Sequence, residues 1–137
     1  SLSTYEELHK WFQEKMVNVC RAIRDQKVDQ SNSAVKKAMV YIQENYSKDI
    51  SLDEVSGQVN ISPYYFSKIF KEETGENFIE YLTRTRIEKA KEFLKQPEVS
   101  VKEAGVKSGY TDPNYFSRIF KKQTDMTPSE FKTRYGK

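Results

Sequence analysis

The heptapeptide Tyr-Phe-Ser-(Lys/Arg)-Ile-Phe-Lys occurs twice in this 137-residue chain, at residues 65–71 and 115–121, and no other feature constrains the fold as tightly. Laying Ile50 to Tyr81 over Val99 to Phe131 pairs Ser51-Leu52 with Ser100-Val101, Val55 with Ala104 and Ile61 with Tyr110 at an offset of 49. The offset becomes 50 where Ser62-Pro63 is answered by Thr111-Asp112-Pro113; beyond it Thr74 pairs with Thr124 and Glu80 with Glu130. Two copies fall short of a solenoid, which needs about three. A duplicated supersecondary unit is therefore expected.

Each copy predicts a short helix, a tight connection and a second helix. The first copy gives Leu52 to Gln58 and Tyr64 to Thr74, the second Val101 to Lys107 and Asn114 to Thr124. Both connections hold one apolar anchor, Ile61 or Tyr110, followed by a capping Ser62 or Asp112. Pro63 and Pro113 sit where a first helical turn tolerates proline, because the missing N–H would have no intrahelical partner. Five Gly and four Pro, with 36% apolar and 31% charged residues, argue against a turn-rich β sandwich. The fold class expected is all-α: two helix-turn-helix subdomains joined by a helix from about Phe78 to Leu94.

Upstream, Val35, Ala38, Met39, Ile42 and Tyr46 trace a helical face from Ala34 to about Tyr46, after a polar linker at Asp29 to Ser33. A leading helix from about Thr4 to Gln26 is opened by a Ser3/Glu6 capping-box pattern and carries an apolar stripe from Leu8 through Trp11, Phe12, Met16 and Val19 to Ile23. The stripe either folds back on this chain or pairs with a second copy or an upstream domain. Residues 1–30 are thus read as a connector and 31–137 as the binding domain, with helix-turn-helix units at about 51–75 and 100–125. The chain opens on Ser rather than Met, so the expectation is a fragment whose upstream part carries a separate activity.

The outward face of the second helix in each copy carries the functional reading. Phe66, Ile69 and Phe70 point one way, which sends Tyr64, Ser67, Lys68 and Lys71 to the other side at spacings of three and four. Asn114, Ser117, Arg118 and Lys121 repeat the arrangement. Arg and Lys donate to guanine O6 and N7, Asn pairs with adenine, and Ser serves either base or phosphate while letting the helix approach closely. A single helix of this pattern is more simply a solvated amphipathic surface; its repetition after a capped turn favours DNA. Ser51, Ser100, Lys71, Lys121, Lys122, Thr74 and Thr124 are the candidates for phosphate contacts, which fix register without reading sequence.

The series Gly109-Tyr110, Asp112, Tyr115-Phe116-Ser117-Arg118, Phe120-Lys121-Lys122, Thr127-Pro128 and Phe131 resembles the signature of the DNA-binding domain of the AraC/XylS family of bacterial transcription regulators. The resemblance covers about Ser33 to Tyr135. It implies seven helices and two recognition helices entering successive major-groove segments on one face of the duplex. Carried over residue by residue, it puts base reading on Tyr64, Ser67, Lys68, Asn114, Ser117 and Arg118. It implies promoter DNA as partner, with RNA polymerase and a homodimer through the leading helix or an upstream domain as further candidates. The leading helix resembles the connector of members fused to a response-regulator receiver, and a sugar-sensing or other upstream domain fits equally. The joining helix, about 17 residues and roughly 25 Å long, suits two units packed on its ends and presented about 34 Å apart. On it Arg84 and Arg86 are candidates for phosphate or for intramolecular carboxylate partners, the latter favoured for Arg86 beside the core residue Ile87.

Other classes fit less well. His9 is the only histidine and stands alone on the leading helix, and the pairs Glu6-Glu7 and Glu72-Glu73 diverge by about 100° on a helix, so no catalytic constellation or metal site forms. No enzyme activity, cofactor or metal is expected. Cys20, a lone cysteine, reads as a small buried hydrophobe in a protein of the reducing cytoplasm, and no stretch approaches a membrane span. The remaining alternative is a helical interaction or dimerisation module, which would have no need of two matched basic faces. The net charge of +3 does not by itself mark a nucleic-acid binder.

Overall fold

A computed structural model describes residues 33–136 together with Glu7 and Lys10. The leading helix expected over residues 4–26, its stripe and Cys20 lie outside the described residues apart from those two positions. Residues 33–136 form seven helices and no strand: α1 (residues 33–45), α2 (Leu52–Gln58), α3 (Pro63–Thr74), α4 (Phe78–Leu94), α5 (Val101–Lys107), α6 (Pro113–Thr124) and α7 (Pro128–Tyr135). The expected bounds hold, with α3 and α6 each starting one residue earlier because the proline occupies the first helical position.

Caps set these boundaries. Ser51 and Ser100 accept from the N–H groups of Glu54 and Glu103 at 3.1 Å and open α2 and α5. Asn77 with Glu80 and Thr127 with Glu130 form reciprocal capping boxes at the heads of α4 and α7. Each box satisfies two donors left orphaned at a helix start. The ends of α3 and α6 match as well: Gly75 and Asp125 adopt left-handed backbone at φ 80° and 64°, and their N–H groups donate to the carbonyls of Lys71 and Lys121.

Two apolar cores result, and α4 belongs to both. Val35, Ala38 and Ile42 of α1 pack with Val55, Phe66 and Phe70, and α4 closes this core with Phe78, Tyr81 and Leu82. Further along the same helix Ile87, Ala90 and Leu94 enter a second core with Val99, Ala104, Phe116, Phe120 and Phe131. The duplication therefore reaches beyond the stretch where the sequence shows it. Val35, Ala38 and Ile42 stand to unit one as Ile87, Ala90 and Leu94 stand to unit two, at an offset of 87 − 35 = 52. The connecting loops, residues 46–51 and 95–100, are equally long, but α1 runs three residues past Ile42 whereas α4 ends at Leu94, and this pushes that part of the repeat out of the 49-residue register.

Each core buries four aromatic residues, but their rings are chained differently. In unit two Tyr110, Phe116, Phe120, Phe131 and Tyr135 form a chain of rings with centroids 4.7–5.8 Å apart. Unit one has a shorter series, Phe66, Phe70 and Tyr81, at 5.4 and 5.3 Å. Such edge-to-face and offset contacts hold the second helix of each unit at a fixed angle to its support.

A candidate nucleic-acid interface

Each second helix starts from a capped turn. The Ser62 hydroxyl accepts from Tyr65 N–H at 3.2 Å, and an Asp112 carboxylate oxygen accepts from Asn114 N–H at 3.0 Å. The turns reach these caps through left-handed residues, Asn60 at φ 60° and Gly109 at φ 107°. Asparagine tolerates that region through its short polar side chain. At Gly109 a side chain is excluded outright, since a Cβ would lie 2.9 Å from the Tyr46 carbonyl oxygen and 3.0 Å from Arg86 Nε.

Beyond the caps the two helices present the same surface. Tyr64, Lys68 and Lys71 on α3 and Asn114, Arg118 and Lys121 on α6 are exposed, opposite the buried Phe66/Phe70 and Phe116/Phe120. Tyr64 is 84% exposed, so nothing in its own unit explains an aromatic ring there. Ser67 and Ser117 differ from the expected outward placement. Both are half-buried, because a residue one step after an inward phenylalanine turns only about 100° away from it. Ser117 lines a recess of about 260 Å³ with Val101, Gly105, Val106, Tyr110 and Phe116. Gly105 shapes that recess, for an added Cβ would stand 2.8 Å from the Phe116 ring. Its counterpart in unit one is Ser56, whose buried hydroxyl donates to Asp53 C=O at 3.1 Å.

Arg118 brings in a neighbour that the pattern of faces did not flag. Its guanidinium lies 5.9 Å from the ring centroid of Tyr115, which is 46% exposed, in a cation–π arrangement. The contact holds a long side chain extended along the outer face. The signal was the i, i+3 spacing of Tyr115 and Arg118, the separation at which helix side chains meet.

The phosphate candidates divide into two sets. Ser51 and Ser100 are exposed at helix heads, and Lys71, Lys121 and Lys122 are exposed near helix ends. The Thr74 and Thr124 hydroxyls are half-buried and engaged within the chain, bonded to the carbonyls of Phe70 and Phe120 and accepting from the N–H of Glu76 and Met126. Hydroxyls so placed shape the exit from α3 and α6.

The arginines of α4 are both intramolecular, with a correction to the partner of one. Arg84 meets the Glu76 carboxylate at 2.9 Å. Among the described residues Arg86 pairs with no carboxylate: its Nε donates to Tyr46 C=O at 2.7 Å and an Nη to Lys48 C=O at 2.8 Å, and its guanidinium lies 5.6 Å from the Tyr110 ring centroid. Burial, partly offset by this guanidinium, pushes the Tyr110 phenol up to about 12. No helix among the described residues is long and apolar enough to cross a membrane.

A helix-turn-helix domain family model matches residues 55–134. The transcriptional regulator YijO of Escherichia coli is 36% identical over 95 residues, covering 69% of this chain and 34% of that protein. The C-terminal domain of AraT, a response regulator from Geobacillus stearothermophilus, is 36% identical with a TM-score of 0.73, over 76% of this chain and 87% of that one. The DNA-binding domain of the transcriptional factor AdpA, solved with a target DNA, shares the fold at a TM-score of 0.70 and 19% identity, over 74% of this chain and 91% of that one. The chain belongs to the AraC-type helix-turn-helix family, whose members are DNA-binding transcriptional regulators and not enzymes. It spans about a third of the length of the Escherichia coli relative.

Proposed function

We propose that residues 31–137 read double-stranded promoter DNA sequence-specifically, with α3 and α6 entering successive major-groove segments on one face of the duplex. The observation that carries this reading is the repetition of one surface on two equivalently capped helices: an exposed Tyr64 or Asn114, a half-buried serine, a cation at 68 or 118 and a lysine at 71 or 121. Tyr64, Ser67, Lys68, Asn114, Ser117 and Arg118 face base edges in this reading, and Lys71, Lys121, Lys122, Ser51 and Ser100 face phosphates. Thr74 and Thr124 serve the helix ends. Regulation of bacterial transcription is the role, with RNA polymerase and a second copy of the chain as the expected protein partners.

Selection of a random-sequence duplex library on the 137-residue protein tests the reading, followed by fluorescence anisotropy of the enriched site against scrambled DNA at two salt concentrations. The expected result is a motif with two half-elements about one helical turn apart, bound far more tightly than scrambled duplex. Weak binding that salt abolishes equally for every duplex would sink it.

A further inference from the structure

Two cations close the open end of a first helix in this fold, and they do so differently. In unit two Lys132 of α7 donates to Gln96 C=O at 3.0 Å and Leu94 C=O at 3.4 Å, so the end of α4 is held by the unit it serves. In unit one the corresponding carbonyls, Tyr46 and Lys48 after α1, are held by Arg86, which stands on α4 just before Ile87 begins the second core. The guanidinium then continues across the joint to the Tyr110 ring, inside the turn that precedes α6. Gly109 of that turn leaves room for nothing larger than hydrogen between Tyr46 C=O and Arg86 Nε. One side chain thus touches the end of α1, the shared helix and the turn of the second unit.

We infer that Arg86 is a positioning residue that locks the two helix-turn-helix units in one relative orientation and so sets the half-site spacing the domain accepts. The inference rests on the two-groove reading above. Guanidinium chemistry suits such a lock, because a planar fork of fixed donors spans two carbonyls while its face lies on an aromatic ring, which an ammonium does not reproduce. A rotation of one unit about α4 must break both bonds and slide the guanidinium off Tyr110. The Tyr46 carbonyl would then lose its guanidinium donor, while that of Lys48 would keep only Ile50 N–H, at the cost of leaving hydrogen bonds unmade.

The test uses the full chain, its Arg86→Met and Arg86→Lys variants, and duplexes carrying the selected site with zero, one or two base pairs inserted between its halves. The parent is expected to lose about tenfold in affinity for the first inserted pair, comparable to a mismatched base pair. In Arg86→Met that preference shrinks to about threefold or less, with Arg86→Lys in between, because an ammonium can reach the carbonyls but cannot also lay a planar face on the Tyr110 ring. A folded variant of either kind that keeps the parent's spacing preference overturns the inference. Arg86→Lys carries the test if Arg86→Met does not fold.

A second readout needs no DNA. Spin labels at Gln58→Cys and Gln123→Cys, in a Cys20→Ser background, report the distance distribution between the units. Both Arg86 variants should broaden it; an unchanged width with a merely lowered melting temperature would reduce Arg86 to a structural role and overturn the inference. A parent with no spacing preference would count against two-groove reading, while the label distances would still decide the lock.

Discussion

The two helix-turn-helix units share a fold and carry opposite charge. Residues 51–75 hold two lysines against four carboxylates, net −2, whereas residues 100–125 hold five Lys and Arg against three carboxylates, net +2. The differences fall at equivalent exposed positions: Asp53 answers Lys102, Gln58 answers Lys107 and Glu72 answers Lys122. What both units keep is apolar spacing, helix caps and the left-handed turn residue. The fold thus rests on buried and capping residues, and surface charge was free to diverge. On the two-groove reading proposed above, the second unit is the stronger electrostatic grip on phosphate.

The units part most sharply at the contact between their paired helices, where different residues fill one role. Gly105→Val should destabilise the domain by about 3 kcal/mol, since its side chain drives into the Phe116 ring. Ser56→Ala at the matching site should cost only about 1 kcal/mol, the worth of one hydrogen bond to Asp53 C=O. Chemical denaturation measures both, and equal losses would mean that the two contacts are not differently packed.

Binding gives the next effect in size. Arg118→Ala should weaken specific binding by about 1–3 kcal/mol and relax base preference at one position, and Lys68→Ala should cost less because its ammonium lacks the bidentate fork. Anisotropy against single-base variants of the selected site reads the difference. Smaller still, Lys122→Ala should weaken every duplex alike and flatten the salt dependence by about one contact, whereas Glu72→Lys should strengthen every duplex and steepen it. Salt titrations that show no opposite movement would remove the division of labour between the units.

The smallest effect near neutral pH comes from the turn before α6. Folding raises the Tyr110 phenol to about 12, so its contribution to stability is complete below the ordinary tyrosine value of about 10 and is lost as pH rises through about 12. Unit one has Ile61 at that position and no group to ionise. Stability of the parent against Tyr110→Phe across that alkaline window checks the sign, and a parent that falls no faster than the variant would contradict it.

Much of this architecture was legible in the sequence because its determinants are local. Serine, asparagine or aspartate at a cap, proline after it and aromatics at spacings of three and four fix helix ends and faces within a few residues. The repeat extension into α1 escaped because α1 runs three residues past its last shared core position, which shifts its register to 52. The partner of Arg86 escaped for another reason: it is main chain, separated by 40 and 38 residues, and main-chain carbonyls leave no mark on composition. The half-buried serines lie between two faces, where a division into inside and outside places them wrongly. The base and phosphate assignments themselves rest on residue types and exposure.

Sharing α4 has a consequence for how the domain comes apart. Neither core is large, and assemblies below about 40 residues seldom fold unaided. Each draws three side chains from the same helix: Phe78, Tyr81 and Leu82 at one end, Ile87, Ala90 and Leu94 at the other. Loosening either end frays the support of the other, so denaturation should run as one cooperative transition, with the amides of α4 the last to exchange with solvent. A duplex held by the second unit alone would then slow the opening of the first.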